Sequence, residues 1–276
     1  MTRAPALARK AAMTTSSPTP VVLIAPAMGI GARFYRPLVE TFSERGWTAI
    51  ALPRRGFELD HPPASRAHDW SYQDEIDEIA RAVAAQRAAE PERPVLVLGH
   101  SLGGQMAVGH ALNEPPADGL ITIGTSLPYH RDFPFNGPHL VLMAGLIVPA
   151  LTAAFGYLPK PAFGGPGAKT LMREWARMVL TARPPYPVRG SVTTPSLVIS
   201  LDGDTYAPRD AVDAFVERLF TPSTSTRLHV TEQPTDHVGW VRSPGAVVDG
   251  VVAWWHRSLA PAPDVLPAGD AAAPSA

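Results

Sequence analysis

The chain has 276 residues, 45% hydrophobic and 18% charged, an ordinary globular composition at a length that suits one α/β domain with room for an insertion. Lys and Arg total 24 against 25 Asp and Glu, a net charge of −1, so no basic excess points to nucleic acid or an anionic membrane. Cysteine is absent, which excludes disulfides, thiolate catalysis and cysteine-ligated metals.

Residues 1–19 are basic and rich in Ser, Thr and Pro. They lack the apolar core and cleavage site of a secretory signal and read as a disordered leader, with Met13 an alternative start. PVVLIAP (Pro20–Pro26) is a short apolar run between prolines, the pattern of a fully buried strand. RFYRPLVETFSERG follows with Phe34, Leu38 and Phe42 on one helical face and Gly46 as its stop, and WTAIALP is strand-like. SYQDEIDEIARAVAAQRAAE is the clearest helix: Ser71 can cap it, acids fill its first turns, and Ile76, Ile79, Ala80 and Val83 form an apolar face. PVLVLG is a strand, LGGQMAVGHALN a helix and GLITIGT a strand. Further on, PSLVISLDG is a strand, RDAVDAFVERLF a helix, STRLHV a strand and GAVVDGVVAWWHRSL the closing helix.

Continuously apolar strands alternating with helices predict an α/β fold, a doubly wound and mostly parallel sheet covered on both faces. Residues 20–125 and 192–259 form this core. Residues 126–191 show no clear strand and helical pieces broken by Pro and Gly, so they read as a helical lid inserted over one end of the sheet. Residues 260–276 are a low-complexity tail. Leu140–Phe155, LVLMAGLIVPALTAAF, carries no charge. It is shorter than the ~20 residues a spanning helix needs, and Pro149 interrupts it. It is expected to be a buried helix covering the mouth of a site, not a stable membrane anchor.

Between VLVLGH and the next helix sits Ser101, crowded by Gly99, Gly103 and Gly104. Strand–Gly-x-Ser-x-Gly–helix is the nucleophile elbow, where glycines remove the Cβ atoms that would collide as strand and helix close. The turn exposes the serine Oγ and leaves the Leu102 N–H at a helix N-terminus that favours negative charge. A serine nucleophile needs a base and an orienting acid, here in the order Ser, acid, His, each in a loop after a strand. His237, in PTDHVGW after STRLHV, fits the base. The eight other histidines precede the serine or lie on helices, in a strand or in the insertion. Two acids follow SLVIS: Asp204, farther past the strand end, is preferred, and Asp202, beside Gly203, is the alternative. Asp236 adjoins His237 in sequence, so its side chain diverges from that ring. A second oxyanion donor should come from the loop after VVLI. Pro26 has no N–H, leaving Ala27, Met28 and Gly29.

GHSLGG with the downstream DGDTYAP and DHVGW resembles the α/β-hydrolase superfamily over nearly the whole span from Val21 to Leu259. LIAPAMG, RFYRPL, Asp69–Trp70, GHSLGGQ, GYLP and REWAR resemble more closely a bacterial group of predicted α/β hydrolases in its serine-aminopeptidase and monoacylglycerol-lipase-like branch. In that register Pro26-Ala27 takes the place of the frequent His-Gly, which makes Met28 the donor. Relatives often carry a β-hairpin before the strand equivalent to VVLI. The leader shows none, so the sheet is expected to be short at one edge.

The expected activity is cytoplasmic hydrolysis of carboxylic esters or thioesters through an acyl-enzyme on Ser101. Its partner is a small acyl substrate; no cofactor, metal or nucleic acid is called for, and the oligomeric state is open. Phe155 and Trp175 are the expected pocket residues of the lid. Acyl transfer, aminopeptidase action and non-catalytic binding on the same fold are the alternatives. An aminopeptidase should hold its substrate's ammonium with acids, and the insertion offers only Asp132 and Glu174.

Overall fold

The computed structural model describes residues 19–259, so the predicted leader (through Pro18) and the predicted tail lie outside the described residues. Its centre is a six-stranded sheet of β1 (Val21–Ala25), β2 (Thr48–Ala51), β3 (Val95–His100), β4 (Gly119–Ile123), β7 (Ser196–Leu201) and β8 (Ser225–Val230), in the order β2-β1-β3-β4-β7-β8. Every neighbouring pair in this sheet is parallel. Strands β1, β3, β4 and β7 are buried along their whole length, as their unbroken apolar sequences require. Val21, Leu23, Val95 and Val97 point into one core with α2 (Tyr72–Ala89), α3 (Leu102–Asn113) and α7 (Arg209–Leu219). Val22, Ile24, Leu96 and Leu98 point into the other, with α1 (Arg36–Glu44) and α8 (Gly245–Leu259). Alternate side chains therefore fill two layers, and the hydrophobic effect holds helices on both faces.

The chain winds from β1 out to β2, then returns past β1 to β3. The carboxyl ends of β1 and β3 thus flank the point where the strand order reverses, which is where ligands bind in open α/β sheets. Among the described residues no strand precedes β1. The outermost strand, β2, alternates exposed and half-buried residues, and Ile50 is 37% exposed. Helix α2 begins with a full capping box: Ser71 Oγ takes the Asp74 N–H, and the Asp74 carboxylate takes the Ser71 N–H.

Between β4 and β7 lie α4 (Pro138–Leu142), a π-helical turn (Met143–Ile147), α5 (Val148–Phe155) and α6 (Lys169–Thr181). The expectation of no strand here needs a small correction. Tyr157–Leu158 (β5) and Gly167–Ala168 (β6) form a two-residue antiparallel pair, too short to show a period in sequence. The inner residues of α6, Leu171, Met172, Trp175 and Val179, belong to the same apolar core as α2 and α3.

The larger correction concerns Leu140–Phe155. It was expected to be buried; only 17% of Pro138–Phe155 is, and Leu142, Leu146 and Phe155 are 52%, 60% and 47% exposed.

Candidate active site

The sharp turn after β3 places Ser101 at φ 55°, a left-handed conformation that costs a non-glycine residue about 1–3 kcal/mol. Packing enforces it. A Cβ on Gly103 would stand 2.1 Å from the Ala25 carbonyl oxygen, so the start of α3 approaches β1 more closely than an alanine allows. The Ser101 amide donates to the Ile123 carbonyl at 2.9 Å, tying the turn to β4.

His237 comes from the loop after β8 and Asp204 from the loop after β7, and the fold brings both to Ser101. His237 Nε2 lies 2.9 Å from Ser101 Oγ, and His237 Nδ1 lies 2.7 Å from Asp204 Oδ2. A carboxylate only accepts, so Nδ1 carries the proton and Nε2 is left to accept from the serine hydroxyl. Asp204 Oδ1 accepts the Tyr206 and Ala207 N–H groups at 2.9 Å each, and the carboxylate has no solvent exposure. Gly124 makes room for the pair: a Cβ there would meet Asp204 Oδ2 at 2.7 Å. Tyr206 stacks on the His237 ring, with centroids 5.1 Å apart.

The other acids are elsewhere. Asp202 is 59% exposed and stands 3.4 Å from His229, not His237. Asp236 caps the turn after His237 by accepting the Val238 and Gly239 N–H groups.

Of the three oxyanion candidates after β1, Ala27 is already engaged. Its N–H donates to the Tyr35 hydroxyl at 2.8 Å. The Arg54 guanidinium, paired with Glu75 at 3.0 Å in the interior, donates to the Pro26 carbonyl and holds the other side of the same loop. Burial raises the Glu75 carboxyl, and the Arg54 charge opposes that rise. Met28 and Gly29 remain. Both line a cleft with Leu102, Trp70, Phe163 and Met172 whose volume, counting its open mouth, is about 340 Å³.

The two predicted lid residues fare differently. Trp175 is buried behind the cleft, its ring edge-on to Phe163 at 5.1 Å, and does not line it. Phe155 stands on the outer face of α5, 47% exposed, and is not a cleft residue. The sequence leaves that helix's inward face unassigned because apolar residues surround it on all sides.

His100 precedes the serine and so falls outside the order expected of the base, but the fold puts it at a junction. His100 Nε2 lies 2.7 Å from the His237 carbonyl, which can only accept, so Nε2 carries the proton. Nδ1 then accepts from the Tyr35 hydroxyl at 2.8 Å, and that hydroxyl accepts from Ala27. The Trp240 indole N–H approaches the same Nε2 at 3.4 Å. That longer contact loses to the His237 carbonyl, because one nitrogen cannot both donate and accept. Burial, with His237 adding to it, pushes His100 down to about 3, so the ring stays neutral. Burial likewise raises the Tyr35 hydroxyl, which stays protonated.

One buried chain of hydrogen bonds thus joins the loop after β1, the elbow and the loop carrying His237. Tyr35→Phe removes its middle member and leaves the Ala27 N–H and His100 Nδ1 without partners. At about 1–3 kcal/mol for each orphaned group, urea unfolding should show a loss of roughly 2–6 kcal/mol. A loss under about 0.5 kcal/mol would mean that the chain contributes nothing to stability.

This sheet, its strand order and the elbow define an α/β hydrolase. The chain belongs to the serine aminopeptidase S33 family, whose pattern it matches over residues 16–164. No curated protein matches it in sequence. Among solved structures it is similar to the putative non-heme bromoperoxidase BpoC of Mycobacterium tuberculosis H37Rv, at TM-score 0.61 and 15% identity over 89% of this chain and 95% of that one. It is also similar to a soluble variant of monoglyceride lipase from Saccharomyces cerevisiae, at TM-score 0.60 and 13% identity over 88% of each chain. MenH from S. aureus follows at TM-score 0.58 and 14% identity, over 88% of this chain and 96% of that one. At these identities the likeness is one of fold.

Proposed function

We propose that the protein is a serine hydrolase that cleaves carboxylic esters or thioesters through an acyl-enzyme. The observation that carries this reading is the unbroken line from Ser101 Oγ through His237 to Asp204, with contacts of 2.9 and 2.7 Å. Ser101 Oγ attacks the acyl carbonyl as His237 Nε2 takes its proton. The imidazolium is held by Asp204. The Leu102 and Met28 N–H groups donate to the developing oxyanion, the first at the N-terminus of α3. His237 returns the proton to the departing alcohol or thiol. Water, deprotonated by the same ring, then releases the acid and restores the serine. The cleft beside Met28 and Leu102 holds the acyl group, with Phe163 as its wall and Trp175 behind it.

The family's description raises aminopeptidase action as a second reading. Such an enzyme needs acids free to hold an ammonium group, but Glu174 accepts the Tyr72 N–H at 2.8 Å and Asp132 accepts twice from Arg218. Both acids of the insertion are engaged, which favours an uncharged acyl substrate.

A fluorophosphonate probe followed by peptide mass spectrometry, run beside an acyl series of p-nitrophenyl esters and thioesters, tests the proposal. The adduct is expected on Ser101. Each buried methylene contributes about 0.8 kcal/mol, so kcat/KM should rise roughly fourfold per carbon until the cleft is full. An unlabelled protein at neutral pH, or an adduct on another serine, would overturn the assignment. A labelled Ser101 with acyl groups appearing on added alcohol or amine in place of water would make the enzyme a transferase.

A further inference from the structure

The helical segment Pro138–Phe155 has its polarity inside out. It spans 18 residues with a mean hydropathy of 1.8, yet only 17% of it is buried. Ala144, Val148 and Thr152, spaced four residues apart, are buried on the inner side, where the segment packs on α6. Its polar Thr152 thus faces inward, donating to the Val148 carbonyl at 2.7 Å and accepting from Arg173 Nε at 3.0 Å. From Val141 to Phe155 every exposed residue is apolar, led by Val141, Leu142, Leu146 and Phe155 at 39–60% exposure. A helix that lies against water carries polar residues on that side.

Charge narrows what can cover this face. Between Asp132 and Glu174 the sequence has no acidic residue, while Lys160, Lys169 and Arg173 are basic. Arg66 adds a guanidinium at the helix C-terminus, donating to the Ala154 and Phe155 carbonyls at 2.6 and 3.0 Å. Asp69, which reaches α6 from the loop before α2, has both oxygens engaged by Thr170. The balanced total of −1 conceals this local asymmetry. A second copy docked by two-fold symmetry would set this acid-free, basic segment against an identical basic segment. An anionic lipid surface suits both the apolar face and the segment's positive charge.

We propose that this face docks the protein on an anionic phospholipid bilayer, the helix lying in the plane of the interface. Spanning is excluded by the inner face, which α6 holds. The proposal does not rest on the hydrolase reading, because its readout is binding.

The test is flotation of the full chain with extruded vesicles of equimolar phosphatidylglycerol and phosphatidylcholine. The wild type should float with the vesicles, and less so in high salt. Leu142→Glu combined with Leu146→Glu should lower the bound fraction at least about tenfold, since two inserted leucines are lost and two like charges are added at an anionic surface. The melting temperature and the hydrolysis of a soluble short-chain ester, measured in parallel, should stay unchanged, which separates lost docking from lost fold or lost chemistry. Wild type that does not float, or double variant that floats equally, would overturn the proposal. So would a wild-type dimer in sedimentation that the double substitution dissociates, which would make the face an interface between copies.

Discussion

Ser101→Ala should reduce kcat for p-nitrophenyl esters by on the order of 10⁶ and abolish fluorophosphonate labelling, as removal of a serine nucleophile does in other hydrolases. The expectation follows from how little else Ser101 Oγ touches. Its hydrogen-bond partner is His237 Nε2 at 2.9 Å, and the turn itself is held by the backbone bond from Ser101 to Ile123. Alanine at φ 55° carries the same left-handed strain as serine, so stability should change by less than about 1 kcal/mol. Activity and fold therefore separate cleanly in this variant. Residual turnover on the order of 10³ above water would remain from the oxyanion donors and the cleft. A variant that kept a tenth of wild-type activity would show that attack comes from water or from another side chain, and the acyl-enzyme would be abandoned.

What could be read from the sequence was local. The strands β1, β3 and β7 announce themselves as apolar runs because both their faces are buried, and the elbow announces itself because a sharp turn spends glycines. His237 and Asp204 were legible by position, each in the loop after a strand. What stayed hidden depends on residues far apart in the chain. Tyr35 and His100 are 65 residues apart, and no pattern along the chain pairs them. The Arg54–Glu75 pair reads as ordinary surface charge until the fold buries it. The helix over Pro138–Phe155 was misjudged for a different reason. Apolarity tells how much a segment avoids water, not which face meets the rest of the protein. The core took only the small inner positions Ala144, Val148 and Thr152, so the large side chains Leu142, Leu146 and Phe155 were left outside. The same ambiguity put Phe155 in the pocket.

Asp204→Asn should lower kcat by on the order of 10⁴ with far less effect on KM. The side chain is fixed at both ends: Oδ1 accepts the Tyr206 and Ala207 N–H groups, and Oδ2 meets His237 Nδ1 at 2.7 Å. Asparagine preserves the first pair through its oxygen and therefore turns its amide NH₂ toward the ring. Nδ1 must then accept, the ring proton moves to Nε2, and Nε2 faces Ser101 as a donor that cannot take the serine proton. The loss is thus one of tautomer and charge, with the packing intact. Asp202→Asn should change kcat by less than about twofold, because that carboxylate is 59% exposed and its neighbour at 3.4 Å is His229. Steady-state kinetics of the two variants on one ester decides between the acids. A larger loss for Asp202→Asn would move the orienting role there and would require the loop after β7 to rearrange during turnover, since the observed geometry gives Asp202 no path to His237.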